Sequence, residues 1–176
     1  MNIFVTSSNP VSCAHVLPDK HVVKMPLETA QMLAVAASVH GLPDLQKKDG
    51  GFYSHKSHAN HPCTVWAHSD LRNMSWLIRH GLALCAEYTR RFNRIHACQS
   101  PITACRSNMI SWDMYSHDKP KSWAVAVDKD IKLRYIMRDR DINSHVFLAY
   151  QEHLKSKPWV PDNYIRMPER KPEWMQ

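Results

Sequence analysis

Glycine is scarce: the 176 residues hold four. So few disfavour an all-β fold, whose tight turns draw on glycine for positive φ. Long apolar runs are missing too, and no segment reads as a membrane span. The start MNIFVTSSNP lacks the basic flank and the long apolar stretch of a signal peptide. The five cysteines, Cys13, Cys63, Cys85, Cys98 and Cys105, contain no C-x-x-C pair. An odd, unpaired set fits reduced thiols in a cytoplasm better than a disulfide framework. No Walker loop, G-x-G-x-x-G, H-E-x-x-H or G-x-S-x-G occurs. Acidic charge is also short. Lys and Arg number 23 against 16 Asp and Glu, a formal +7 before any of the 12 histidines titrates. That excess attracts polyanions, nucleic acid first.

What is present suits one mainly α domain over residues 1–176, with 44% hydrophobic residues and enough length for a real core. Asn2 to Val5 reads as a short strand closed by Thr6-Ser7-Ser8-Asn9-Pro10. A brief helix follows Pro10. Pro18-Asp19 starts a second, which runs to about His40 and stops at Gly41-Leu42-Pro43, with Pro26 expected to kink or split it. Residues 44–62 read as a loop. A third helix starts near Pro62, and Ser69 or Asp70 caps a fourth that reaches about Asn93. Leu71, Met74, Ile78, Cys85, Tyr88 and Phe92 form its core stripe. Pro101 and Pro120 interrupt residues 99–123, which take no clear assignment. A last helix is expected from Asp141 to about Lys155, with Val146, Ala149, Tyr150 and Leu154 inward. The tail KPWVPDNYIRMPERKPEWMQ is too aromatic for a free linker and should cross the domain as an extended strap.

Chemistry concentrates first in HVVKMPLETAQML. His21, Lys24, Glu28 and Gln31 fall within roughly 80° of one another around a helix, among apolar neighbours. Lys24 and Glu28 also suit a plain i,i+4 ion pair on a wet face. If buried, such a stripe must be paired or must line a cavity. Burial favours the neutral amine and the protonated carboxyl, the forms a nucleophile and a general acid need.

A second cluster, HKSHANHPCTVW, spaces His55, His58, His61 and Cys63 as H-x2-H-x2-H-x-C. These are zinc-type ligands, but the spacing matches no standard finger, and no metal is expected. Arg72, Arg79, Arg90 and Arg94 share one side of the fourth helix, with Trp76 beside them. Forked guanidiniums beside an aromatic suit phosphates and bases; a solvated basic face explains them equally well.

The motifs MNIFVTS, DKHVVKM-x-LETAQML, HxNHPCTVWA and LCAEYTRRF resemble a family of small phage-encoded proteins labelled pyrimidine-dimer DNA glycosylase, distantly similar to phage endonuclease V. The resemblance covers residues 1–95 well and the last helix and tail loosely. It implies a compact helical enzyme that needs neither metal nor cofactor, in the cytoplasm of a phage host, with DNA as partner. An amine attacks C1′ of a damaged pyrimidine nucleotide, and the Schiff base then collapses by β-elimination. Glu28 takes the place of the family's helix-borne glutamate. The family's nucleophile is an N-terminal amine freed by methionine removal. Asn2 is bulky and leaves Met1 in place, so the Met1 amine and Lys24 are the two candidates. His21 is expected to join them in catalysis. Gln31, His58, Asn60, His61 and Trp66 are expected to bind substrate, and the four arginines to hold DNA. Two other classes stay open: a base- or nucleotide-modifying enzyme (a transferase or nucleotide hydrolase) and a non-enzymatic DNA-binding or host-interaction protein. Oligomeric state is not legible.

Overall fold

The computed structural model describes residues 1–136 and 142–175, the side chains of 142–144 excepted. Seven α-helices carry these residues: α1 (Pro10–His15), α2 (Asp19–Val39), α3 (Pro62–Ser69), α4 (Leu71–Phe92), α5 (Gln99–Ser111), α6 (Lys129–Tyr135) and α7 (Ile142–Lys155). The start expected for the last helix, Asp141, lies outside the described residues. No described helix is long and apolar enough to cross a membrane.

Local chemistry sets the ends. Asn9 Oδ1 accepts from Val11 N and Ser12 N, capping α1. Asp70 Oδ1 accepts from Arg72 N at 2.8 Å, which opens α4. Gly41, at φ 71°, closes α2: Leu42 N donates to Ala37 O and Gly41 N to Ser38 O. Asn93 ends α4 in the left-handed region. The start of α2 is capped from afar, because Asn163 in the tail accepts from Asp19 N with its carbonyl and from Lys20 N with its side chain, both at 2.8 Å.

Pro26 neither splits α2 nor ends it. A proline inside a helix removes one N–H donor and crowds the preceding turn. That turn has outside help: His96 Nδ1 accepts from Cys98 N, which leaves Nε2–H to donate to Val23 O at 3.0 Å.

One core runs from Ile3 to Met175. The long helices α2 and α4 pack together at its centre, where Gly81 lets them close on Thr29. Trp66, Trp76 and Trp123 pack edge and face at 5.0–5.9 Å between ring centres. The core stripe of α4 is partly confirmed. Met74, Ile78 and Cys85 are fully buried, whereas Leu71, Tyr88 and Phe92 pack at its margin. Val146, Ala149, Tyr150 and Leu154 of α7 face inward and are fully buried. Pro101 does not interrupt structure; it occupies the first turn of α5.

The short N-terminal strand does not form. Among the described residues the only β pairing is an isolated bridge between Gln46 and Phe52. Ile3, Phe4 and Val5 are buried among helices, with no strand beside them. Their backbone bonds to side chains instead: Asn2 Oδ1 accepts from Ile3 N and Phe4 N, and Phe4 turns to φ 40°. The tail does cross the domain and buries Val160, Tyr164 and Met175. It proceeds by turns and two single 3-10 turns, Pro168–Arg170 and Glu173–Met175, and not as an extended strand.

Candidate active site

Glu28 sits two residues beyond Pro26 on α2, and its carboxylate is nearly buried, at 9% side-chain exposure. Three donors surround it. The Met1 amine lies 3.6 Å from Oε2, Asn2 N–H donates to Oε2 at 2.9 Å, and Lys24 Nζ lies 3.0 Å from Oε1. The two amines differ in setting. The Met1 side chain packs against the core at 2% exposure, whereas the Lys24 side chain is 68% exposed and lies at the rim. Lys24 thus stands on the wet face, and the amine anchored by a buried side chain is the one at Met1.

A pocket of about 420 Å³ opens beside this cluster. Its lining holds four amines, those of Met1, Lys20, Lys24 and Lys157, and one carboxylate, Glu28. That sum, +4 and −1, favours a ligand bearing phosphate. Its wall is aromatic. His21 stacks on Phe4 at 4.3 Å and meets the edge of Trp159 at 5.1 Å, while Lys20 Nζ sits 5.1 Å above the Trp159 ring. Burial, helped by Lys157 and Lys24, pushes His21 down to about 3. The ring is therefore neutral at ordinary pH. Its Nδ1 is buried without a partner. A neutral ring of this kind suits the wall of the pocket. His153 closes the far side, its Nδ1 3.0 Å from Asp128 Oδ2.

The remaining expected residues scatter. Gln31 is half-buried on α2 and does not line this pocket. His61 caps α3, its Nδ1 accepting from Cys63 N at 3.2 Å. Burial lowers its pKa first and the Met1 amine second, with Glu28 opposing, so His61 stands close to the amine–carboxylate pair without entering the pocket. His58 and Asn60 are exposed loop residues, His58 at φ 58°. Trp66 belongs to the tryptophan core, and its indole N–H is committed to Ser122 O at 2.8 Å. Among the described residues no three His, Cys, Asp or Glu side chains converge on a metal-sized space. In the H-x2-H-x2-H-x-C run, His55 and His58 point to solvent while Cys63 is buried.

None of the four arginines reaches the Glu28 pocket. Arg72 is tied to Asp70, whose carboxyl that guanidinium pulls down to about 2. Arg79 donates to the carbonyls of His117 and Asp118, Arg90 lies 3.7 Å from Glu87 Oε1, and Arg94 is exposed.

Sequence reading missed Lys20, Lys157, Trp159 and the device that holds the tail over the pocket. That device centres on Arg91, fully buried, which donates to Glu87 Oε2, Asp19 Oδ1, Leu17 O and His15 O. Glu87 also takes Arg170 of the tail at 2.9 Å, and Asp19 Oδ2 accepts from Arg166 N at 2.9 Å. The basic run TRRF on a helix offered one signal: a charge within an otherwise apolar stretch must find buried partners.

No curated protein and no solved structure matches the chain. Residues 1–100 match the family described as pyrimidine dimer DNA glycosylase. That span includes Met1, His21, Lys24, Glu28 and His61, while Lys157 and Trp159 lie beyond it. More than half of the chain is covered, and the chain belongs to the pyrimidine dimer DNA glycosylase family.

Proposed function

We propose that the Met1–Glu28 pocket breaks the N-glycosidic bond of a damaged or modified pyrimidine nucleotide in DNA and then nicks the strand as a lyase. The observation that carries this reading is an amine, anchored by the buried Met1 side chain, 3.6 Å from a nearly buried carboxylate at the mouth of a cationic, aromatic-walled pocket. Glu28 takes a proton from the Met1 ammonium, and the freed amine adds to C1′ as the C1′–N bond breaks. The bonding pair leaves with the base, which takes up, through water, one of the two protons on the new C1′ ammonium nitrogen and so frees its lone pair. The amine nitrogen then expels O4′, which receives the proton from Glu28, and an iminium forms. Loss of a C2′ proton to the restored carboxylate expels the 3′ phosphate by β-elimination.

The remaining groups support these steps. Lys20 and Lys157 would hold flanking phosphates, and Lys24, at the rim, would pair with Glu28. Trp159, Phe4 and the neutral His21 would shield the iminium from water. A pocket of about 420 Å³ takes a ligand of nucleotide size, so a target in a duplex must leave the stack to enter.

Borohydride trapping on an abasic oligonucleotide and on ultraviolet-irradiated duplex DNA tests this. The adduct should map to the Met1 peptide and persist in Lys24→Arg. Glu28→Gln should lower turnover roughly 10²- to 10⁴-fold, the range for a lost proton-transfer group. An adduct at Lys24 would move the nucleophile to the rim. No adduct, with turnover of free nucleotides, would replace this reading by the nucleotide-modifying one.

A further inference from the structure

We propose that a second cleft, between α1, α4, α5 and the 113–118 loop, is a binding site for one nucleotide unit of a DNA strand, with phosphate on Arg79 and Arg106 and base against Tyr115. The cleft encloses about 520 Å³ and shares no lining residue with the Glu28 pocket. Its floor is apolar, formed by Val11, Leu82 and Ala83.

Two guanidiniums face this floor with no carboxylate in the lining. Arg79 is held by three backbone carbonyls: Nε to Ser75 O at 3.4 Å, Nη1 to His117 O at 3.2 Å and Nη2 to Asp118 O at 3.2 Å. A guanidinium has five N–H donors, so two remain for a ligand. Arg106 lies 5.5 Å above the Tyr115 ring, and among the described residues no acidic side chain pairs with it. Asp113 and Asp118, on the loop, do not line the cleft, and Glu87 adjoins it 3.5 Å from His15 Nε2. Glu87 is buried and already engaged by Arg91 and Arg170.

The cleft is also built in advance. Ser116 N donates to Ser75 Oγ at 3.0 Å, Asp118 N donates to Ser116 Oγ at 3.1 Å, and Tyr115 packs against His117 at 5.3 Å. The loop carrying the aromatic is thus pinned to the helix carrying Arg79. Uncompensated guanidiniums select an oxyanion, and a tyrosine face over an apolar floor selects a planar ring. A nucleotide joins the two, whereas inorganic phosphate or a nucleoside supplies one alone. The choice of DNA over a free nucleotide rests on the function proposed above; the chemistry of the cleft does not.

The test uses the full chain with methyl-labelled Val, Leu and Met, titrated with dTMP, thymidine and inorganic phosphate. Val11 and Leu82 methyls report this cleft, and the Met25 methyl reports the Glu28 pocket. dTMP should shift Val11 and Leu82 with a lower Kd than either thymidine or phosphate. Tyr115→Leu should raise that Kd roughly 5- to 100-fold, the range for one lost stacked base. With single-stranded DNA, Arg106→Ala should reduce the salt slope of binding by about 0.7, one phosphate's share. Both variants alter side chains outside the core, and an unchanged Met25 response confirms the fold. Silent Val11 and Leu82 methyls would overturn the proposal, as would equal affinity for thymidine and dTMP, or indifference to both substitutions. None of these results bears on the Met1 adduct, so the two readings fail separately.

Discussion

Replacing Arg91 by Met should unfasten the tail from the helices. The wild-type side chain is fully buried and makes bonds of 2.7–3.2 Å to two carboxylates and two carbonyls. Methionine replaces the aliphatic stem without the guanidinium and satisfies none of them. Breaking a buried pair by removing one partner costs about 3–5 kcal/mol, because the surviving charge stays desolvated. Glu87 keeps Arg170 at 2.9 Å and Asp19 keeps the Arg166 N–H, so the loss should fall near the lower end, about 3 kcal/mol. With a urea m-value of about 2 kcal/mol/M for a chain of this size, the midpoint should drop by roughly 1.5 M. Equilibrium unfolding followed by tryptophan fluorescence measures it. Adding Glu87→Gln to Arg91→Met removes the stranded charge and should recover part of the loss, which gives a coupling above about 0.5 kcal/mol in a double-mutant cycle. A midpoint within 0.3 M of wild type (roughly 0.6 kcal/mol by the same m-value) would refute the view that this network holds the strap.

Two further stability predictions follow from close packing and from an isolated ring. Gly81→Ala places a Cβ 2.5 Å from Thr29 Cγ2 and 3.1 Å from Ile102 Cδ1, so it should cost about 1–3 kcal/mol; adding Thr29→Ser, which deletes that methyl, should restore part of it in thermal unfolding. His80 is fully buried on Trp76 with neither ring nitrogen partnered, and burial pushes it down to about 3. Its folded pKa lies below the unfolded value, so the unfolded chain takes the proton first and stability drains as pH falls from about 6.5 towards 3, at up to about 1.4 kcal/mol per pH unit. His80→Leu should flatten the urea midpoint between pH 7 and 4, with His21, shifted likewise, keeping a residual slope.

Helix boundaries are legible where a residue's chemistry acts on its own neighbours. Pro10, Gly41, Pro62 and Asp70 each start or stop a helix through their own backbone conformation or bonds to residues within a few positions, and those signals need no knowledge of the fold. Sequence misleads where the deciding partner is remote. Pro26 reads as a kink or a split, yet α2 continues through it, with His96, 73 positions away, bonded to the Val23 carbonyl of the preceding turn. Ile3, Phe4 and Val5 have strand-forming side chains, but a strand needs a neighbour, and helices fill the space around them. Pro101 looks like an interruption when proline is judged without its position in the helical turn. The arginine stripe shows the same limit for the site. Periodicity gives the azimuth of Arg72 and Arg90 correctly and cannot give Asp70 or Glu87 as their partners. Glu28 stands out because a carboxylate in an apolar helix demands partners. Sequence supplies Lys24 as one of them and the Met1 amine as a candidate; only the fold brings that amine against the carboxylate.

That placement depends on Asn2 more than on Met1. The Asn2 backbone N–H binds Glu28 Oε2 at 2.9 Å, its side-chain oxygen accepts from Ile3 N and Phe4 N, and its amide nitrogen donates to Ala126 O at 2.8 Å. Ala126 N in turn donates to Tyr150 Oη, which donates to Ala124 O deep in the core. One short side chain thus fastens the first residues to α2, to the 124–126 segment and, through Tyr150, to α7. An aromatic residue at φ 40° is strained, and such strain persists where surrounding contacts over-determine it; Phe4 has Asn2 on one side and the His21 ring at 4.3 Å on the other. The result is a terminal amine with little freedom to wander, next to its carboxylate before any ligand arrives. In the reaction proposed for this pocket, preorganisation of this kind would spare the entropy of bringing amine and carboxylate together. It also accounts for the asparagine, the residue whose short amide both accepts from the two following backbone N–H groups and donates across to a third segment.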